Sequence, residues 1–458
     1  MATLIALSVL AIITMLIGAW HKYKWIVPVL VTGMAVALAL NINDWNTYRH
    51  YYNEMMFVDN YAVAFNTILI VMAMLVVLIA GHYFRNVVKP LDDVYILMVF
   101  SLIGGTLMTS FSNLSMLFIG IETLSISMYV LAGSKKFDNL AKEASMKYFL
   151  MGSFASGFLL FGIALLYGSA GSFNLEAIGL YATAHANDLP KMFYAGMLLT
   201  LIGLVFKVAA VPFHFWVPDV YQGAPTVITS FMATVVKVAG VAAIFRLFNH
   251  SFMSLQPLWS NTVVILSAAT IILANITALY QRTFKRLLAY SGIAHTGYLL
   301  MALVASNTTS MGAVLLYLAA YSLSTYAAFV VLMLVKDFIY DDKMEHYQGL
   351  ARRNPLIAVT LAVSMLSLTG IPPLAGFMGK FALFSSTLES GHIYLVIIAI
   401  LGSAISLAFY LKPVISMFFK EGGQIVIGLN PWLKVFLILL CLAQFALGLI
   451  PGMITQLL

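Results

Sequence analysis

Charge is scarce in this chain. Of its 458 residues only 9% are Asp, Glu, Lys or Arg, and 62% are hydrophobic. Soluble domains carry about 25% charged residues. A chain this poor in charge cannot cover a water-facing surface, which excludes an ordinary soluble domain. Cysteine is scarcer still: Cys441 stands alone inside an apolar run. One thiol closes no internal disulfide and holds no iron–sulfur cluster. No G-x-G-x-x-G fingerprint and no phosphate loop occurs. The histidines lack helical metal-ligand spacing, so no metal site is expected. These absences point away from redox chemistry on the chain itself, and no cofactor is expected on it. The formal charge of +7 does not indicate a nucleic-acid partner, because the basic residues lie in short loops. The first apolar run, Ala2 to Trp20, has basic residues after it and none before, the reverse of a signal peptide.

Long apolar runs are what the chain has. A membrane-spanning helix needs about 20 such residues. The hydropathy pattern predicts an all-α integral membrane protein with fourteen transmembrane helices, over 2–20, 25–41, 61–83, 92–110, 113–133, 143–168, 192–215, 224–248, 259–281, 285–305, 309–336, 355–387, 391–418 and 431–456. The two longest connections, 42–60 and 169–191, have room for a surface hairpin or a short helix. Loops on one side carry Lys22, Lys24, Arg85, Lys89, Lys135, Lys136, Lys142, Arg282, Lys285, Arg286, Lys336, Lys343, Arg352, Arg353 and Lys420; the other side carries only Arg49 and Lys191. The positive-inside rule then places both termini outward, in the periplasm of a bacterium, with the chain in the inner membrane.

Residues 92–248 and 259–418 each hold five candidate helices, flanked by a three-helix segment over 1–91 and a last helix over 431–458. Five is odd, so two tandem units must be inverted, an architecture common in transporters. The seventh and twelfth helices hold matching places, and each pairs proline with lysine: Lys207 with Pro212, and Pro372–Pro373 with Lys380. Proline removes a backbone donor, so both helices are predicted to be broken.

With those seventeen of the twenty-four basic residues assigned to loops, seven remain. Arg246, Lys412 and Lys434 lie near helix ends and read as snorkelling to the interface. Lys147 follows Glu143 by one turn, which suits a boundary ion pair as well as a part in proton uptake. Lys207 and Lys237 lie mid-helix, and Lys380 lies deep beyond the second proline break. The single mid-membrane acid is Glu122. A charge at bilayer centre costs roughly 3 kcal/mol on insertion scales. One carboxylate cannot neutralise three lysines, so the group reads as a proton-loading set in which Glu122 modulates Lys207. His214 and His295 suit buried packing or proton relay.

Five segments carry a resemblance: IGIETLSISMYVLAG (119–133), EASMKYFLMGSFASGFLLFGIALLYG (143–168), GLVFKVAAVPFHFWVPDVYQGAPT (203–226), NITALYQRTFKRLLAYSGIAHTGYL (275–299) and LTGIPPLAGFMGKF (368–381). In order and spacing they resemble the subunit N family of the proton-pumping NADH:quinone oxidoreductase, respiratory complex I, over about 90–418. The fold is shared with Mrp-type antiporters, but WVPDVYQGAP is similar to the N type. The resemblance implies that Glu122 pairs with Lys207, that Lys237 is the connecting lysine, that Lys380 lies near the exit, and that His295 belongs to a helix 10 motif. It implies other complex I membrane subunits as partners, with FMN, iron–sulfur clusters and quinone held by other subunits. A Mrp-type or stand-alone cation/proton antiporter is the alternative, and a single deep acid argues against its cation site. A purely structural membrane subunit is the third reading, and three buried lysines are costly for it.

Overall fold

The computed structural model describes residues 1–84, 91–307, 309–336, 338, 342–422 and 426–457. Arg85 and Lys89, two of the loop basic residues, lie outside the described residues. Nearly everything described is helical. Among the described residues, thirteen helices are long and apolar enough to cross a membrane, from Ala2–Ala19 to Pro431–Leu449. The twelfth candidate is the exception. Its apolar run is split into Pro355–Thr369 and Ala375–Glu389, and the first piece alone is short for a span. The run looks continuous in hydropathy because the breaking residues, Gly370 to Leu374, are themselves largely apolar.

Both predicted breaks are present. The helix Lys191–Val208 stops at Ala209, whose φ of 64° lies in the left-handed region, and helix resumes at Trp216–Gly223. In the second break Gly370 takes φ 91°. Side chains satisfy the freed backbone groups, as a low-dielectric interior requires. The Val211 amide donates to Thr270 Oγ1 at 3.0 Å. The Gly376 amide donates to Ser367 Oγ at 3.1 Å, which also accepts from Ser324 Oγ at 2.8 Å. The long connections hold small elements. Arg49–Tyr51 pairs antiparallel with Met56–Val58, and Leu175–Ala184 is a short helix whose N-cap, Asn174, accepts from Glu176 and Ala177 amides.

The chain forms two compact units, Met1–Ala209 with Gly223–Thr262, and Ala210–Gln222 with Val263–Leu458. The short helix after the first break therefore belongs to the second unit. In the first unit the span Thr226–Ser251 is buried from Thr226 to Phe248, and Ala2–Ala19 packs on Asp92–Ser110. In the second unit Phe284–Ala305 and Ser310–Lys336 are almost wholly buried, while Ile393–Phe419 and Pro431–Leu449 expose apolar faces. Exposed Ile12, Ile265, Leu401 and Leu442 belong to such peripheral helices and suit a hydrocarbon surround.

Candidate functional site

The first cluster is built on the helix Leu114–Ala132. Glu122, Ser125 and Tyr129 recur three and four residues apart, so they share one face. Lys207, two residues before the first break, lies against that face. Its Nζ donates to Ser125 Oγ at 2.8 Å and to Tyr129 OH at 3.2 Å, and stands 5.6 Å from the Tyr129 ring centroid. Tyr129 is itself fixed edge-on by Tyr148. The expected Glu122–Lys207 pairing is therefore indirect. Glu122 lies one turn from Ser125 on the face that Lys207 meets, yet the ammonium is bonded to the hydroxyls. Glu122 is half-buried, and its Oε1 has no hydrogen-bond partner among the described residues.

Lys237 is 4% exposed and starts the helix Lys237–Ser251, directly after a π-helical turn at Met232–Val236. Gly240 on the same helix packs against Val208, so the Lys237 helix lies beside the Lys207 helix. Arg246 corrects the sequence reading. It does not snorkel: its side chain is buried, ion-paired with Asp59, and lies over the Tyr61 ring at 4.8 Å. Asp59 also caps the helix Asn60–Tyr83 through the Ala62 amide. Lys412 and Lys434 are exposed, as snorkelling residues should be. Lys147 and Glu143 form the boundary ion pair at 2.7 Å.

The second unit holds the other two. Lys380 Nζ donates to the Thr369 carbonyl at 2.7 Å and to Ser403 Oγ at 2.8 Å, 5.1 Å from the Tyr298 ring centroid. A Cβ at Gly370 would lie 2.9 Å from the Lys380 side chain, so glycine there serves both the backbone turn and the lysine. His295 is bonded on both ring nitrogens, Nδ1 to Tyr317 OH at 2.5 Å and Nε2 to Tyr410 OH at 3.1 Å; Tyr410 OH continues to Ser291 Oγ. A cavity of about 10 Å³ lies among His295, Tyr317, Tyr321, Ser324 and Ser367. That is room for about one water. The rings of His295 and Tyr298 are in edge contact, which ties the His295 cluster to the Lys380 site. His214, after the first break, lies against Phe215.

Sequence reasoning missed Ser125, Tyr129, Thr369, Ser403, Tyr317 and Tyr410. The first two were readable as positions three and seven after Glu122. Thr369 ends the helix before the second break, eleven residues from Lys380; Ser403, Tyr317 and Tyr410 come from other helices and leave no local signal.

The described geometry comprises buried lysines on polar contacts in both units, beside two broken helices. Residues 112–406 match the family described as NADH:quinone oxidoreductase/Mrp antiporter, TM. The protein named NADH-quinone oxidoreductase subunit N of Cytophaga hutchinsonii is 40% identical over 460 residues, covering 100% of this chain and 99% of its own. The chain belongs to the NADH-quinone oxidoreductase subunit N family. A chain of respiratory complex I from Thermus thermophilus has a similar structure, with TM-score 0.86 and 33% identity, covering 99% of this chain and 98% of its own. A chain of the Mrp complex from Dietzia sp. reaches TM-score 0.88 at 19% identity, covering 100% of this chain and 95% of its own, and shares the fold. The sequence identity thus places the chain with the subunit N family rather than with Mrp antiporters. It is a multi-pass, antiporter-like membrane subunit of the complex I type.

Proposed function

We propose that this chain translocates protons as the subunit N of a bacterial NADH:quinone oxidoreductase, driven by quinone reduction in other subunits. The observation that carries the reading is Lys207, buried and held by the neutral hydroxyls of Ser125 and Tyr129 beside Glu122. Hydroxyl partners serve an ammonium as acceptors and a neutral amine as donors, so the site accommodates both protonation states. An approach or withdrawal of Glu122, imposed by a neighbouring membrane subunit, changes how firmly Lys207 holds its proton. Lys207 and Lys237 act in the first unit. Lys380 and His295 act in the second, where the imidazole accepts a proton at one nitrogen and releases one from the other through Tyr317 and Tyr410.

FMN, iron–sulfur clusters and quinone belong to other subunits of the parent complex in this reading. The inner membrane is the location, with both termini periplasmic, on the fifteen-to-two division of basic residues between the two sides. Residues 92–248 and 259–418 are proposed as inverted repeats, supported by the matching breaks: a left-handed residue, Ala209 or Gly370, precedes Pro212 or Pro372 by a few positions. The deciding experiment is affinity purification of the tagged chain from native membranes. Recovery with a flavin- and iron–sulfur-containing complex that pumps protons on NADH oxidation is expected. Recovery with antiporter subunits alone, exchanging sodium for protons, would refute the assignment.

A further inference from the structure

Most hydroxyls in these helices are satisfied locally. Thr14, Thr67, Thr200 and Ser364 each donate to the carbonyl four residues back, the usual solution for Ser and Thr in an apolar helix. The span Thr226–Ser251 departs from this. Thr226, Ser230 and Thr234 follow one another at four-residue intervals along the helix, and Lys237 comes directly after the π-helical turn Met232–Val236 that holds Thr234. All four are buried. Thr234 Oγ1 donates to the Ser230 carbonyl at 2.8 Å, leaving its oxygen free to accept. Ser230 has the Thr226 carbonyl in the same position but does not take it. Its Oγ, like Thr226 Oγ1, has no hydrogen-bond partner among the described residues.

A shielded hydroxyl without a protein partner is costly unless water reaches it. Two of them, followed by a third and then by a buried lysine, describe a polar track along this helix. Eleven residues at helical rise make it about 16 Å long. Its start, at Pro225 and Thr226, is the end of the helix on the side of the basic loops.

We propose that the hydroxyls of Thr226, Ser230 and Thr234 line a water-filled path that delivers protons to Lys237 from the basic-loop side. The proposal rests on the proton-translocating reading above and adds a route to one of its lysines. Each transfer breaks one O–H bond as the next forms, and the last forms an N–H bond at Lys237 Nζ, so no other reactant is consumed.

The test is made in the assembled complex in membrane vesicles, by measuring protons translocated per NADH oxidised. The triple variant Thr226→Val, Ser230→Ala, Thr234→Val keeps side-chain volume nearly unchanged and removes the hydroxyls. It should assemble, oxidise NADH and lose most of its translocation. Thr226→Ser with Ser230→Thr and Thr234→Ser, which keeps every hydroxyl, should pump as wild type. Thr32→Val, on an exposed face where the hydroxyl bonds its own helix, should also be unchanged. Should the triple variant fail to assemble, Ser230→Ala and Thr226→Val are read singly, each with a partial loss expected. Lys237→Gln separates the two levels of the argument. If it loses pumping while the hydroxyl-free variants keep theirs, the track is wrong and the lysine stands. If Lys237→Gln pumps as wild type, the reading of Lys237 fails and the track with it.

Discussion

Replacing Lys207 with Met should leave the complex assembled and abolish its proton pumping. The expectation of assembly can be worked from the site. Placing an ammonium at mid-membrane depth costs roughly 3 kcal/mol on insertion scales. Two hydrogen bonds from a charged donor, to Ser125 Oγ and Tyr129 OH, return about 3–6 kcal/mol. Methionine removes both the cost and the return, and its unbranched chain fills similar space. Stability should therefore change by no more than about 3 kcal/mol, the difference between those figures. Glu122 does not turn this into the larger penalty of a broken buried ion pair, because it is half-buried and is not bonded to Lys207. Pumping is another matter, since methionine carries no proton. Lys207→Arg is the sharper test. A guanidinium restores the charge but stays protonated in proteins, so it cannot load and unload. The assay is NADH-driven acidification of inverted vesicles, normalised to NADH oxidation and to the amount of assembled complex. Lys434→Gln, at an exposed position, is the control and should pump normally. Wild-type pumping by Lys207→Arg would refute the reasoning, because Lys207 would then be a fixed countercharge.

Two further perturbations test the architecture around the site. Asp59→Asn should cost about 3 kcal/mol by orphaning the buried Arg246, Arg246→Met should cost less because Asp59 is partly exposed, and the double variant should cost less than their sum; thermal inactivation of the complex reads this, and simple additivity would count against the pair. Gly376→Ala should prevent stable assembly, since its Cβ would stand 1.7 Å from the Ser367 carbonyl oxygen at the second break, whereas Gly157→Ala, with nothing within 4 Å, should be neutral or slightly stabilising; equal complex yields from the two would show that the break tolerates the extra atom.

What could be read from the chain in advance was whatever chemistry is local. Apolar run length and loop charge are local, so the helices fell near their predicted positions. Proline is local, so the breaks at Pro212 and at Pro372–Pro373 could be placed. The twelfth helix shows the limit of hydropathy, because a glycine–proline break built from apolar residues does not interrupt an apolar run. Arg246 shows a different limit. Four or five residues from a helix end, an arginine ordinarily reaches the interface; here its partner, Asp59, is 187 positions away. The partners of His295 are of the same kind. Tyr317 and Tyr410 are two among 23 tyrosines, and only the packing of the helices Phe284–Ala305, Ser310–Lys336 and Ile393–Phe419 selects them.

The two best-defined lysines differ in what holds them, and the difference bears on mechanism. Lys380 is bonded to Thr369, the last residue of the helix Pro355–Thr369. It thus lies at the negative end of a helix dipole, a favourable place for a cation that is built into the backbone. Nothing short of moving the break alters that interaction. Lys207 has hydroxyl partners, and the nearby charge is a side-chain carboxylate with an unpartnered oxygen. A fixed dipole can favour a proton but cannot time its release. A carboxylate on a neighbouring helix can do both, because small changes in its distance are large changes in field at low dielectric. A pump needs at least one site of the second kind, and under the proposed function Lys207 with Glu122 in the first unit is that site.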